Sequence, residues 1–258
     1  MRNALIGYSG FIGSNLKNDI KNCEYYNSKN IEKIKNKTFN KIYCTANDSR
    51  IWYVNKNPKK DLKNIQLLLS KLQKVKCNFF ILISSIEIYK NNKNKSINEL
   101  VKNRLSKISN YGNNRLYFEN EIKKLFVNHL IVRLPIVYGK NFKKNIIYDI
   151  INNKDVHSIN QQDVLQFYPV NYLFKDIKLL IQNNISVANL ASEPLQASEI
   201  TNKFKIIKNL KKKKRNYNMQ SIHSDIFKEN KYRFSKIFIL NNIIKVIKKR
   251  KLIYLFLI

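Results

Sequence analysis

The sequence predicts an α/β protein: a doubly wound parallel sheet with a small C-terminal α/β lobe. Three observations predict it. Short apolar runs rich in β-branched residues alternate with longer stretches of helical periodicity over the first 140 residues. The 258 residues are 44% hydrophobic, enough for a full core and too apolar for a disordered chain. Three of only five glycines fall in one seven-residue turn behind the first apolar run.

In order, ALIG (4–7) reads as a strand, a glycine turn follows, and SNLKNDI (14–20) can be helical. KIYCTA (41–46), FFILIS (79–84) and LIVRL (130–134) read as further strands, with one more expected around Glu24. DLKNIQLLLSKLQK (61–74) and RLYFENEIKKLF (115–126) have helical spacing. Strand and helix alternating in this way call for parallel pairing with helices on both faces. Beyond about residue 140 the elements shorten: a helix near 144–152, strands near 166–170 and 187–191, and helices at 171–183 and 239–249. The expected division is therefore 1–140 and 141–258, with strands of the two parts free to interleave. NNKNK (91–95) and KKKKR (211–215) read as solvated loops.

The turn GYSGFIG (7–13) has the strand–turn–helix context of a dinucleotide site in a Rossmann-like sheet. Its first glycine permits the tight turn, its second lets backbone approach a pyrophosphate, and its third lets helix and strand pack closely. Gly7, Ser9, Gly10, Phe11, Ile12 and Gly13 are thus the candidate phosphate cradle. Thr45 and Ala46, ending a later strand, and Asn27, Ser28 and Lys29, about 20 residues past the glycines, are candidates for the rest of the cofactor.

Three further motifs follow in order: ILISSIEIY (81–89), YGNNRLYFE (111–119) and VRLPIVYG (132–139). With the glycine turn they resemble the extended short-chain dehydrogenase/reductase family, the NAD-dependent epimerase/dehydratase type that acts on nucleotide sugars. The resemblance spans 1–140 and continues more weakly through QFYPVNYLFKDI (166–177) and VANLAS (187–192). It implies a nucleotide-sugar substrate, a role in polysaccharide biosynthesis and an NAD(P) cofactor. It makes Ser85, Tyr111 and Arg115 the catalytic set, has Tyr111, Arg115 and Pro135 touch the cofactor, and allows a homodimer. Tyr111 and Arg115 lie four apart, on one helix face. A phenol of pKa about 10 needs a cation beside it to work near neutrality. Arg115 is expected to hold it down and to bond the ribose, while Ser85 polarises a carbonyl.

Two departures from the family pattern bear on activity. Arg115 stands where the family has Lys, keeping the charge but changing the hydrogen-bonding geometry. Ile86-Glu87 stand where dehydratases have Asp-Glu, which removes half of the acid/base pair for water elimination. Reduction of a keto group is therefore expected, with epimerisation as the alternative. An uncharged or basic turn at 27–29 tolerates a 2′-phosphate and so favours NADP over NAD.

Lys plus Arg (49) against Asp plus Glu (17) leave a net charge of +32. The 39 Asn and 37 Ile beside 5 Gly and 5 Ala match a drift toward A/T-rich codons, so much of this charge reads as lysine on solvated faces. Residues 201–258 hold 17 Lys/Arg and two Asp/Glu, and the competing class is a catalytically impaired binding protein gripping RNA or an anionic membrane there. In FILNNIIKVIKKRK (238–251), however, basic and apolar residues alternate as in a packed helix with a wet face, and no nucleic-acid partner is expected. The cysteines form no CxxC pair, and the histidines have no metal-ligand spacing, so neither disulfide nor metal is expected. No apolar run nears the roughly 18 residues of a membrane span, and a cytoplasmic protein is expected.

Overall fold

The computed structural model describes residues 1–89, 97–101, 108–206 and 214–255. The expected loop 91–95 and residues 211–213 of KKKKR lie outside the described residues. Among the described residues, one compact unit gathers those of 1–90, 99–134 and 171–189. The other gathers those of 91–98, 135–170 and 190–258.

The first unit is built on β1 (Asn3–Ile6), α1 (Phe11–Leu16), β2 (Cys23–Tyr26), β3 (Thr38–Cys44), α2 (Ile51–Lys56) and α3 (Pro58–Leu72). It continues through β4 (Lys76–Ser85), α4 (Asn110–Leu125) and β5 (His129–Leu134). The second unit takes β6 (Ile136–Tyr138), α5 (Ile146–Ile151), β7 (Val164–Leu165) and β8 (Phe167–Pro169). The chain then returns to the first unit for α6 (Leu173–Gln182) and β9 (Val187–Asn189), and ends in the second with β10 (Leu195–Gln196), α7 (Ala197–Thr201) and α8 (Lys236–Leu255).

Six parallel strands run in the order β2-β1-β3-β4-β5-β9. The chain leaves β1 to one side for β2 and returns to its other side for β3, which places a topological switch point between β1 and β3. Ile6 pairs with Tyr26 and with Cys44, Cys44 with Leu82, and Ser85 with Leu134. The segments that follow these strands therefore leave from one edge of the sheet. β1, β3, β4 and β5 are almost wholly apolar at their centres because helices cover both faces. Their core includes Ile6, Ile42, Phe80, Leu82 and Ile131, with Leu69 and Leu72 from α3 and Phe118 and Ile122 from α4. Phe80 and Phe126 stack with centroids 4.4 Å apart.

Two charges cross this apolar layer. Arg133, 4% exposed, stands in the middle of the run LIVRL, and Glu119, fully buried, faces it from α4. Arg133 Nη2 donates to Glu119 Oε2 at 2.6 Å and Nε to Oε1 at 3.1 Å. Ser84 Oγ donates to Glu119 Oε1 at 2.6 Å, and Arg133 Nη1 to the Tyr89 hydroxyl at 2.6 Å. Tyr89 in turn donates to Asn189 Oδ1 at 3.0 Å. A buried pair this well satisfied docks α4 on β4 and β5 in one register.

In the second unit β7 pairs with β10 and β6 with β8. Ile239, Ile243 and Ile247 of α8 are fully buried at four-residue spacing. Arg250 of the same helix donates to the Gly139 carbonyl at 2.9 Å and lies over the Phe142 ring. No helix among the described residues is long and apolar enough to cross a membrane.

Replacing Arg133 by Met should cost about 3–5 kcal/mol, because Glu119 would stay buried without its counter-charge. The double variant Arg133→Met/Glu119→Gln should recover most of that loss. Urea denaturation of the three proteins measures both effects; a single-variant cost below about 1 kcal/mol would contradict a locking role for the pair.

Candidate active site

The site is assembled where β1, β3 and β4 end. Gly7 follows β1 with φ +86°, a conformation that glycine adopts without strain, and its N–H donates to the Tyr26 carbonyl at 2.8 Å. Thr45, directly after β3, ties the two strand ends together: its N–H donates to Ile6 O at 2.8 Å. Its hydroxyl is shared between Ile6 O at 3.0 Å and Gly7 O at 3.2 Å. Ala46 packs beside it against the core.

The three glycines of the turn do different work. A Cβ on Gly13 would come within 2.2 Å of the Gly7 carbonyl oxygen, and one on Gly7 within 2.9 Å of the Thr45–Ala46 backbone. Both positions are closed by the protein itself. A Cβ on exposed Gly10 would meet only Gly7 O, at 3.3 Å, and Gly10 has ordinary extended dihedrals. That contact is tight, though looser than those at Gly7 and Gly13, and Gly7 O would have to give by a few tenths of an ångström. The turn, with Ser9, Phe11 and Ile12 beside Gly10 in sequence, has the small residues that a pyrophosphate would need.

Asn27, Ser28 and Lys29 directly follow β2 in a turn. Lys29 N–H donates to Asn27 Oδ1 at 2.9 Å, and Asn27 N–H to Asn30 Oδ1 at 2.7 Å. No acidic side chain stands in this turn. Glu24, inside β2, is taken up by Lys37 at 2.7 Å, by the Tyr26 hydroxyl at 2.5 Å and by Arg2 at 3.3 Å. Pro135 directly follows β5 and is the first residue of that second-unit segment.

The catalytic candidates converge at the end of β4. Ser85 is its last residue, and its Oγ accepts the Glu87 N–H at 3.2 Å. Tyr111 lies in the first turn of α4, with its N–H donating to Asn55 Oδ1 at 2.9 Å. Ser109 caps the helix through the Gly112 N–H at 3.1 Å. Tyr111 is 6% exposed, and Ser85 is among the groups that act on its phenol. Gly112 lets this turn of α4 approach Glu87: a Cβ there would stand 2.2 Å from the Glu87 carbonyl oxygen.

Arg115 is 1% exposed, and its guanidinium carbon lies 4.7 Å from the Tyr111 ring centroid. Its Nη2 donates to both oxygens of Asp61, at 2.7 and 2.6 Å, and its Nη1 to Asn47 Oδ1 at 2.6 Å. Asn114 donates to Asp61 Oδ2 at 2.8 Å, and Asn47 Nδ2 to Ile83 O at 3.1 Å. Arg115 Nε has no hydrogen-bond acceptor among the described residues.

Burial raises the Tyr111 phenol above its usual value; Arg115 pulls it down, Glu87 pushes it up, Ser85 pulls down and Asp61 pushes up. Arg115 acts in the expected direction, and burial outweighs it. Asp61, Asn47 and Asn55 were not among the sequence candidates. Asp61 carried a visible signal: it lies on the same stripe as Ile65, Leu69 and Leu72, an acid on the apolar face of its helix. The asparagines carried none.

The fold is shared with solved reductases, epimerases and dehydratases of nucleotide sugars. The chain superposes on a dTDP-4-dehydrorhamnose reductase from Yersinia enterocolitica with a TM-score of 0.70 and 15% identity, covering 96% of this chain and 99% of that one. A UDP-N-acetylglucosamine 4-epimerase from Methanobrevibacter ruminantium gives 0.72 and 14%, over 96% and 97% of the two chains. A dTDP-glucose 4,6-dehydratase from Streptomyces venezuelae, solved with NAD, gives 0.70 and 13%, over 90% and 92%. No family model and no curated protein matches the sequence.

Gly10→Val should stay folded with a modest loss of stability and lose dinucleotide binding, whereas Gly13→Ala should be strongly destabilised, since its methyl would strike backbone. Thermal melts with calorimetric titration of NADPH and NADH separate the two; full cofactor affinity in folded Gly10→Val would remove the cradle from the site.

Proposed function

We propose that the protein is an NAD(P)-dependent reductase acting on the keto group of a nucleotide-linked sugar. One observation carries the proposal: the Tyr111 phenol, acted on by Ser85 at the end of β4 and overlaid by Arg115, shares a unit and a sheet edge with the glycine turn. That is a proton donor, an oxyanion partner and a dinucleotide cradle in one place. The solved proteins of this fold named above, which modify nucleotide sugars, support the substrate class.

Reduced nicotinamide, when bound, supplies the hydride that adds to the carbonyl carbon. As the C=O π bond opens, negative charge gathers on oxygen, and the Ser85 hydroxyl stabilises it. Tyr111 transfers its phenolic proton to that oxygen, forming the alcohol O–H and leaving a phenolate that regains a proton from water before the next cycle. Arg115 steadies the phenolate from across the ring. Its Nη1, with one N–H on Asn47, keeps a second to offer a ribose hydroxyl. Dehydration is disfavoured because Ile86, buried at 4% exposure, replaces one of the two carboxyl groups that water elimination uses. The turn 27–29, with Glu24 already engaged, supports NADP as the preferred cofactor.

Tyr111→Phe should bind cofactor as the parent does and reduce the keto-sugar at least about 10²-fold more slowly, the usual scale of a lost general acid. Steady-state rates with dTDP- and UDP-linked 4-keto-sugars measure this. A Tyr111→Phe protein that turns over at the parent rate would overturn the mechanism.

A further inference from the structure

We propose that Asp61 fixes the direction in which the site works: by closing a buried ion pair with Arg115, it leaves Tyr111 a proton donor and makes the protein a reductase rather than an epimerase. The inference rests on the proposed reductase reading and adds to it a residue outside the Ser85–Tyr111–Arg115 set.

The two reactions ask for opposite forms of the same phenol. Reduction starts with a neutral phenol that gives its proton to the new alkoxide. Epimerisation starts with a phenolate that takes a proton from a sugar hydroxyl as hydride leaves the carbon beneath it. A lone cation next to the ring favours the phenolate, and a cation already paired favours it much less. Here the cation is paired. Asp61 receives two hydrogen bonds from Arg115 Nη2, at 2.7 and 2.6 Å, and both partners are at most 5% exposed. Asn114 holds the carboxylate from the neighbouring position on α4, so the pair cannot swing apart.

The charged groups acting on the phenol come from three elements. Arg115 of α4 attracts the phenolate, whereas Glu87 after β4 and Asp61 of α3 repel it. Burial acts on the phenol most strongly, Arg115 next, Glu87 after it and Asp61 least, so Asp61 bears on the phenol chiefly through the guanidinium it pairs. The Arg in place of Lys suits this arrangement, since one nitrogen of its planar group can bind the carboxylate and another Asn47 while its face covers a ring.

Asp61 acts through Arg115 and is a positioning residue, so its test must read the phenol itself. The tyrosinate absorbance of Tyr111 is isolated by subtracting the titration of the same protein carrying Tyr111→Phe. Asp61→Asn should raise the Tyr111 tyrosinate fraction at a given alkaline pH about tenfold. It should also move the alkaline fall of keto-sugar reduction to lower pH. Asp61→Glu should restore the parent curve. If Asp61→Asn does not fold, Arg115→Gln is compared with Arg115→Gln/Asp61→Asn. The single variant should push the titration to higher pH, and the double variant, with no buried charge, should bring it back. A titration that ignores Asp61 in every folded variant, with keto-sugar reduction intact, overturns the role of Asp61 alone. A titration that shifts as expected in a protein that reduces no keto-sugar overturns the reductase reading alone.

Discussion

The structure depends on the docking of one helix. α4 presents Tyr111, Arg115 and Glu119 at four-residue spacing, all three buried, and two of them are charged. Burying a charge is costly unless a partner waits in the right place, so each charge admits few arrangements. Arg133 meets Glu119 from β5, and Asp61 meets Arg115 from α3. A helix held at both points cannot slide by a residue or rotate. Its N-terminal turn is then pressed against the Glu87 carbonyl, where only glycine fits at 112, and Tyr111 is brought to the end of β4 where Ser85 acts on its phenol. The chemistry of the site is a consequence of where the ion pairs allow the helix to lie.

The same economy runs through the turns. With five glycines in 258 residues, the chain needs other residues for left-handed backbone, and asparagine takes that role. Asn22, Asn36, Asn141, Asn145, Asn153 and Asn184 all have positive φ. Asparagine tolerates this region better than most residues because its short amide bonds nearby backbone. Asn145 does so visibly, accepting the Ile147 and Tyr148 N–H groups at the start of α5 while donating to Val137 O. Compositional drift therefore accounts for the abundance of asparagine but not for where it stands. Gly7, Gly13 and Gly112 stand where a side chain would strike backbone.

The parallel sheet was legible because its signals are local and strong. Apolar runs of strand length, each followed by a turn, gave β1, β3, β4 and β5 within a few residues, and helical spacing gave α3 and α4. α2 was missed, since IWYVNK has no periodicity to set it apart from a strand or a loop. The glycine turn, Ser85 and Tyr111 were legible as motifs. The partners that set their chemistry were not, because Asp61 and Asn47 lie 54 and 68 residues from Arg115 in sequence and meet it only through the fold. Spacing identifies groups on one face of one helix. It says nothing of which acid on another helix will neutralise them.

That blind spot decides how Arg115 is understood. Taken with Tyr111 alone, it is a cation four residues on, and its effect on the phenol has one sign. Taken with Asp61, Asn47 and Asn114, it is one half of a buried pair, and its pull on the phenol is outweighed by burial. The same logic scales to the whole chain. A net charge of +32 suggests a surface made for polyanions, yet the +15 carried by residues 201–258 includes α8, whose isoleucines fill a core and whose Arg250 caps a carbonyl and covers a ring. Formal charge counts side chains one at a time. What a charge does is set by what has already been placed against it.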